Sequence, residues 1–178
     1  MKNILTRCKR GTPFHGATLV VVSGSTERTK RVGWHLSRCL RGVKGIGLMG
    51  ALGAGKTQFV KGMAWGLGIE EDDVVSPSFG LINEYEGDKK LYHVDLYRLE
   101  SASDIETLGI EDFFCGDGIC VIEWAERLKG DSRFFLDVRV HFEITGPRSR
   151  VLTIEAEKGE TIQALRESMR QNGEAAWR

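Results

Sequence analysis

The order of apolar and polar positions predicts alternating strands and helices in the first part of the chain. Residues 17–25 are apolar and β-branched and end in turn residues, which is typical of a strand. Within residues 25–42, apolar positions recur at helical spacing behind Ser and Thr, which predicts a capped helix. A short apolar run at 45–49 predicts a second strand, and residues 56–67 predict a helix that buries one side.

Two strand-like runs follow a polar, proline-containing connection. They occupy residues 80–87 and 90–99, and the intervening GDKK predicts that they pair as a hairpin. Residues 101–109 then predict a short helix, for which Ser103 and Glu106 fit the spacing of a capping box. The middle of the chain is therefore expected to add an antiparallel pair to the sheet.

The remaining sequence predicts three more strands and a terminal helix. Residues 118–124 form an apolar run that ends in a carboxylate, and residues 134–144 and 148–157 alternate apolar with polar positions. Residues 159–173 predict a solvent-facing helix. Because strands and helices interleave early and strands cluster later, we expect a three-layer α/β domain. Its central sheet is predicted to be mainly parallel, with antiparallel additions.

Composition supports one packed domain and gives no standing electrostatic attraction to nucleic acid or to an anionic membrane. The chain has 178 residues, 41% of them hydrophobic, and we detect no internal repeat or linker within residues 17–178. Lys plus Arg equals Asp plus Glu at 25 each, so no net charge attracts nucleic acid or an anionic membrane. If the protein acts on RNA, we expect another protein to hold the polymer.

The N-terminus and the cysteines both favour a cytoplasmic protein. Residues 1–16 are basic but lack the apolar core of a secretory signal, and are read as a flexible extension. No apolar run approaches the ~20 residues that span a bilayer, so no membrane association is expected. The four cysteines form no C-x-x-C pair or zinc-like spacing, which favours free thiols in a reducing compartment.

The stretch GIGLMGALGAGKTQF contains the order G-x-x-x-x-G-K-[ST], formed by Gly50, Gly55, Lys56 and Thr57. Its glycines allow backbone N–H groups to approach phosphate oxygens, and the helix that it opens favours an anion. Lys56 places a charge on the β- and γ-phosphates, and the Thr57 hydroxyl can bind Mg²⁺. A predicted strand before it and a helix after it support a P-loop NTPase fold, but kinases, switches, motors and transport ATPases all share the motif.

Two carboxylates are candidates for work near the γ-phosphate, where NTPases hold Mg²⁺ or orient an attacking water. Glu123 ends an apolar strand, although any strand leaving a core can end in an acid. Asp95 lies between two apolar residues and shares a strand face with His93. A salt bridge to Arg98 is the alternative for Asp95, and a structural role is the alternative for His93.

The segment VVSPSFGL carries two hydroxyls, Ser76 and Ser78, around a proline. In many NTPases a mobile loop at this place contacts the γ-phosphate. Ser78 is the candidate for that contact, and an ordinary turn is the alternative.

Together these segments resemble one family. GALGAGKTQF, SPSF, HVDLYRL, LGIEDFF and VIEWAERL, in this order and at these gaps, are similar to the bacterial TsaE (YjeE) family, small P-loop ATPases of the pathway that makes threonylcarbamoyladenosine on tRNA. The matching blocks span Gly45 to Leu128. The P-loop is unspecific alone, whereas HVDLYR followed by IEW is much more specific.

The resemblance implies ATP and Mg²⁺ as cofactors, slow ATP hydrolysis, and work in a complex with the TsaD and TsaB proteins, through which tRNA is reached indirectly. It implies catalytic roles for Lys56, Asp95 and Glu123, and Mg²⁺ contacts for Thr57, Asp95 and Glu123. The implied nucleotide contacts are Thr26, Leu52, Gly53, Ala54, Gly55, Lys56, Thr57, Ser78, Trp124 and Arg148.

The chain departs from the family at one loop position. Members commonly read G-D-L-G-A-G-K-T, whereas this chain has Ala51 in place of the acid. The cradle does not need that acid, so the departure concerns loop rigidity, partner contact or hydrolysis rate. The N-terminal extension is also longer than the family leads us to expect.

Three alternatives to a regulatory ATPase remain at this point. A small-molecule kinase would share the P-loop, but no Arg-rich lid segment follows Glu123 beyond Arg127 and Arg133. A GTPase would need an N-K-x-D box, which the sequence lacks. An ATP-dependent scaffold with negligible turnover is kept open by Ala51.

Overall fold

The computed structural model describes residues 16–78, 80–99, 101–128 and 134–174. Its strands are β1 (Ala17–Ser23), β2 (Gly45–Gly50), β3 (Ile82–Tyr85), β4 (Leu91–Asp95), β5 (Ile119–Glu123), β6 (Val138–Ile144) and β7 (Arg150–Ala156). Its helices are α1 (Thr26–Ser37), α2 (Lys56–Gly66), α3 (Ala102–Glu106), α4 (Glu111–Cys115) and α5 (Gly159–Gln171).

The strands form one seven-stranded sheet in the order β1-β7-β6-β2-β5-β4-β3. The four central strands, β6, β2, β5 and β4, pair in parallel, while β3, β7 and β1 pair antiparallel with their neighbours. This arrangement confirms the predicted α/β fold with a parallel centre and antiparallel additions. Because the central strands are parallel, their carboxyl ends meet at one edge of the sheet.

Two hydrophobic clusters cover the two faces of the sheet. One joins the strands to α1, α2 and α5, and the other packs α3, α4 and the segment around Phe134 against the opposite face. In β5, Ile119 and Val121 belong to the first cluster, and Cys120 and Ile122 to the second. Since strand side chains alternate in direction, this parity directs Glu123 toward the face that α2 covers.

Helices α1 and α2 approach closely because glycines lie at their contact. A Cβ at Gly62 would lie 1.8 Å from the carbonyl oxygen of Lys30, and a Cβ at Gly33 would lie 2.2 Å from that of Phe59. The backbones of the two helices are therefore in direct contact, and α1 supports α2, which begins at Lys56.

Two local predictions are wrong in detail. The capping box of α3 is formed by Ser101 and Asp104, not by Ser103 and Glu106. The strand predicted over residues 134–144 begins only at Val138; the Asp137 carboxylate just before it accepts hydrogen bonds from the backbone N–H groups of Lys44 and Gly45.

Two other elements end earlier than predicted. The first helix ends at Ser37, well before the glycine at position 42. Strand β4 ends at Asp95; the Leu96 N–H still donates to the Glu123 carbonyl of β5, whereas the Tyr97 N–H turns back to the Asp95 side chain. The predicted hairpin itself is confirmed by the antiparallel pairing of β3 with β4.

Within the part of the chain that the structure describes, no helix is both long and apolar enough to cross a bilayer. The predicted flexible extension falls on residues 1–16, of which residues 1–15 lie outside the described residues.

Candidate functional site

The loop between β2 and α2 has the backbone shape that a phosphate cradle needs. Gly53 and Gly55 adopt left-handed conformations, with φ of 75° and 102°. Gly55 is the N-cap of α2, so the N–H groups of the first helical turn, which have no partner within the helix, lie at the loop. A helix N-terminus reached through such a turn favours a bound anion.

The Lys56 side chain folds back over this loop. Its ammonium donates hydrogen bonds to the carbonyl oxygens of Gly50, at 2.5 Å, and Ala51, at 3.0 Å. It also lies 3.9 Å from the centroid of the Trp124 ring, which is cation–π distance. The charged group is thus held inside the loop, next to the space that the loop encloses.

Burial lowers the pKa of Lys56, because only 4% of the residue is exposed and the ammonium is partly desolvated. Glu123, Glu126 and Asp95 act in the opposite direction through their negative charges. The sequence therefore places a cation where solvent cannot stabilise it, which is typical of a site that receives a charged ligand.

Glu123 is the centre of a buried polar contact. It ends β5 in register with Asp95 of β4, so the two candidate carboxylates lie on adjacent strand ends. Its Oε1 accepts a hydrogen bond from the Thr57 hydroxyl at 2.8 Å and lies 2.9 Å from Nε2 of His93. Glu123 is 3% exposed and His93 is fully buried, so these contacts fix the carboxylate in place.

Asp95 binds the loop that precedes β3. Its Oδ2 accepts hydrogen bonds from the hydroxyls of Ser76, at 2.9 Å, and Ser78, at 2.6 Å. Its Oδ1 accepts from the backbone N–H of Tyr97 at 2.9 Å. The residue is thus satisfied by hydroxyl and amide donors, and these bonds connect it to the segment that was predicted to contact the γ-phosphate.

Trp124 follows the carboxylate in an unusual backbone conformation. Its φ is 60°, a left-handed value that is uncommon for a residue with a side chain. The ring lies 5.0 Å from the Tyr97 ring and 5.8 Å from the Arg127 guanidinium carbon. Because such a conformation costs energy, it persists where surrounding contacts require it, here around Lys56.

Two cavities flank the loop. The inner cavity, of about 410 Å³, contains ten of the predicted residues in its lining, namely Leu52, Gly53, Ala54, Gly55, Lys56, Thr57, Ser78, Asp95, Glu123 and Trp124. The outer cavity, of about 420 Å³, is lined by Thr26 and Arg148 together with Gly53, Ala54 and Gly55. The predicted residues therefore gather around one loop, with the carboxylates on its inner side and Thr26 and Arg148 on its outer side.

His93 and Arg150 make contacts near the loop that were not predicted. His93 shares a strand face with Asp95, and that parity was the only signal in the sequence for its contact with Glu123. Arg150 begins β7 and reaches back to the loop carbonyls of Gly53 and Ala54. Nothing in the sequence pattern indicates this contact.

The donor set fits a nucleotide with Mg²⁺. Thr57, Asp95 and Glu123 offer hydroxyl and carboxylate oxygens, which Mg²⁺ prefers and usually supplements with water and phosphate oxygens. In the described residues no group of three or more His, Cys, Asp or Glu forms a self-contained metal site. Hydroxyl and carboxylate oxygens beside a phosphate-binding loop are the ligands that suit a metal ion shared with phosphate.

Comparison with known proteins places the chain in a family. Residues 23–152 match the family model "Threonylcarbamoyl adenosine biosynthesis protein TsaE". A Treponema pallidum protein, tRNA threonylcarbamoyladenosine biosynthesis protein TsaE, is 41% identical over 133 residues, which cover 75% of this chain and 97% of the relative. The protein of the same name from Aquifex aeolicus is 39% identical over 136 residues, covering 75% and 93%.

A solved structure agrees with the sequence relatives. The crystal structure of YdiB from Bacillus subtilis matches with a TM-score of 0.66 and 29% identity, over 88% of this chain and 97% of that chain. Since the family model spans most of the chain and a relative above one-third identity is covered almost completely, the chain belongs to the TsaE family.

Proposed function

We propose that residues 17–178 are a single ATPase domain that binds ATP and Mg²⁺, hydrolyses ATP slowly, and serves tRNA threonylcarbamoyladenosine biosynthesis in the cytoplasm. The observation that carries the proposal is the Thr57–Glu123 hydrogen bond of 2.8 Å at the edge where β4 and β5 end. This bond joins the P-loop to a carboxylate at the end of a strand. The family to which the chain belongs is named for that pathway.

The loop residues are proposed to bind the phosphates. The N–H groups at the start of α2 donate to phosphate oxygens, and Lys56 exchanges its bonds to the Gly50 and Ala51 carbonyls for bonds to the β- and γ-phosphates. Thr57, Asp95 and Glu123 would hold Mg²⁺, which supplies charge neutralisation on the phosphates. Thr26 and Arg148 are proposed to contact the base side of the nucleotide from the outer cavity.

Glu123 is the proposed catalytic carboxylate. His93 and Thr57 both contact its Oε1, which orients the group toward the inner cavity. From there it can orient an attacking water and accept its proton, while Lys56 stabilises negative charge that develops on the phosphate. The Ser76–Ser78 segment, hydrogen-bonded to Asp95, is proposed to respond to the γ-phosphate and to relax after hydrolysis.

The proposed partners are the TsaD and TsaB proteins. The chain carries equal numbers of acidic and basic residues, so it offers no net charge to attract tRNA. We therefore propose that the tRNA is held by those partners, and that this protein acts as a timer or reset device and not as the enzyme that modifies adenosine.

A scaffold with negligible turnover is a second candidate, favoured by the internal bonds of Lys56. Its ammonium is already bound by two carbonyls and a ring, so nucleotide binding must compete with these contacts. Such a scaffold would bind ATP and its partners, but it would release phosphate only at the background rate, which is the rate expected for a Glu123→Ala variant.

ATPase activity measured alone, then with TsaD–TsaB, then with tRNA added, tests the proposal. We expect weak phosphate release alone and stimulation by the partners, with the Glu123→Ala variant giving the background rate. ATP binding without stimulated turnover would favour the scaffold. Absence of ATP binding in the wild-type chain, or phosphate transferred to a small-molecule acceptor instead of water, would overturn the proposal.

A further inference from the structure

Arg150 makes an unusual set of contacts beside the P-loop. Its Nε donates to the Ala54 carbonyl at 3.2 Å, and its Nη2 donates to the Gly53 carbonyl at 3.1 Å. Its Nη1 donates to the carbonyls of Gly146 and Ser149 at 3.0 and 2.9 Å. All three guanidinium nitrogens are thus engaged with backbone oxygens of two different loops.

An arginine that lines a proposed nucleotide cavity can either bind the ligand or support the loop, and these bonds distinguish the two roles. An arginine that binds phosphate would direct its planar fork at the ligand. Arg150 lines the outer cavity but directs its fork at the carbonyls of the P-loop and of its own β6–β7 turn. Its geometry is therefore that of a support for the loop.

Holding the carbonyls also sets the direction of the amides. The peptide bonds of the described residues are trans, so each N–H points opposite to the carbonyl of the same unit. The N–H that follows the Gly53 carbonyl is used inside the loop, where Ala54 donates to Ala51 at 3.2 Å. The N–H that follows the Ala54 carbonyl belongs to Gly55 and points away from Arg150, so the guanidinium that holds the carbonyl also fixes the direction of this amide.

We infer that Arg150 is a positioning residue that fixes the 53–55 peptides of the P-loop for anion binding and ties them to the β6–β7 turn. The same turn carries Arg148 on the wall of the outer cavity, so one side chain sets the spacing between the phosphate loop and the proposed base side. The part of the inference that concerns anion binding rests on the proposed function. The part that concerns the support of the loop rests only on the hydrogen bonds of Arg150.

The first measurement uses the full chain without nucleotide and compares Arg150→Met with Arg166→Met. Arg166 donates to the Thr18 carbonyl at 3.0 Å from the surface of α5, so the control also loses an arginine–carbonyl bond. We expect hydrogen exchange to accelerate at residues 51–57 in Arg150→Met only, with β4 and β5 unchanged. Unchanged exchange at 51–57, or acceleration spread over the whole sheet, would overturn the inference.

The second measurement is the Kd for a fluorescent ATP analogue with Mg²⁺. We expect it to rise at least about tenfold in Arg150→Met, the scale of losing hydrogen bonds from a charged donor, and to stay at the wild-type value in Arg166→Met. Arg150→Lys keeps the charge and the length without the fork, and we expect it to remain impaired. Full recovery by Lys would show that Arg150 acts by charge on the ligand and would refute positioning.

The two measurements separate this inference from the proposed function. If the wild-type chain binds no nucleotide, the proposed function fails, and the exchange experiment alone decides whether Arg150 braces the loop. If the wild type binds ATP and Arg150→Met binds it equally well, the proposed function stands and the inference fails.

Discussion

Two groups of buried polar residues differ in what satisfies them. The helix-side group lies around α1 and α5 and comprises Ser23, Thr29, His35, Ser37 and Thr161. The site group lies at the carboxyl edge of the parallel strands and comprises Lys56, His93, Asp95 and Glu123. The first consists of hydroxyls and one imidazole, whereas the second contains ordinarily charged groups.

The hydrogen-bond partners show what the difference means. In the helix-side group, Ser23 contacts Thr29 at 2.8 Å, Ser37 donates to a carbonyl of its own helix, and His35 contacts Ser168 at 2.8 Å. Members of the site group are bound mostly to the P-loop and to Ser76 and Ser78. Burying charges stabilises a fold poorly, which supports the proposal that the site group is arranged for ligands and not for stability.

Replacing the buried cation has the largest expected effect on ligand binding. In Lys56→Met we expect ATP affinity to fall more than about a hundredfold, because several charge-assisted bonds to phosphate are lost. The free energy of unfolding without nucleotide is expected to hold or rise, since a lowered lysine pKa means that the folded state disfavours the charged form. Calorimetric titration and urea unfolding measure the two quantities.

Lys61→Met, on the same helix, is the control and is expected to match the wild type in affinity. If Lys56→Met bound ATP normally, or if it unfolded much more easily than the wild type, the site group would be structural like the helix-side group.

Replacing the strand-end carboxylate is expected to separate binding from turnover. In Glu123→Gln we expect hydrolysis to fall by about a hundredfold to ten-thousandfold, the range for loss of a general base, while ATP binding stays measurable. Phosphate release with TsaD–TsaB present measures the rate, and the exposed Glu126→Gln serves as the control. Hydrolysis at the normal rate in Glu123→Gln would remove the catalytic assignment.

Asp95→Asn is expected to have a smaller effect, specific to the metal. Losing one carboxylate charge is expected to raise the Mg²⁺ concentration for half-maximal ATP binding about tenfold. A Mg²⁺ titration at fixed ATP measures this, against the exposed Asp88→Asn. If the Mg²⁺ requirement does not change, Asp95 serves only to hold Ser76 and Ser78.

The smallest expected effect lies in the helix-side group and concerns pH. Burial lowers the pKa of His35, against the charge of Glu174 and with that of Arg31. His35 therefore binds a proton at a higher pH in the unfolded chain, where its pKa is 6.5, than in the folded chain. Stability that is present above pH 6.5 is lost as the pH falls toward the lowered pKa of the folded state. His35→Asn, which can keep the contact with Ser168, is expected to lose less stability between pH 7 and pH 5.

Urea unfolding midpoints at the two pH values measure this difference. Equal slopes in His35→Asn and the wild type would show that another group causes the acid sensitivity. A change in ATP affinity at constant pH would contradict the separation of the two groups.

Local signals in the sequence were sufficient to predict the P-loop, the strand that ends at Glu123 and the hairpin that carries Asp95. The glycine spacing, the apolar run and the turn residues are each readable within a short window. The adjacency of Asp95 and Glu123 was not predicted, because it depends on β4 and β5 being neighbours in the sheet, which no local pattern gives. The chemical roles of these residues stay predictions.

The sequence could not predict the contacts that depend on long-range placement. Arg150 reads as one more charge at the start of an alternating strand, and its reach to Gly53 follows from β7 lying two strands from β2. Asp137 reads as a polar position within a strand, yet its carboxylate accepts hydrogen bonds from the backbone N–H groups of Lys44 and Gly45, at the start of β2. The capping box lies at Ser101 because α3 begins at Ala102, whereas the sequence offered two serines, Ser101 and Ser103, as possible caps.

The close contact of α1 with α2 has a consequence for genetics. Because Gly62 faces the Lys30 carbonyl at a distance that admits no Cβ, a larger residue there must push apart the two helices, one of which opens at Lys56. A displacement of that helix moves the cradle relative to the carboxylates on β4 and β5. We therefore expect a loss-of-function screen to recover substitutions at Gly33 and Gly62, positions that line neither cavity of the site.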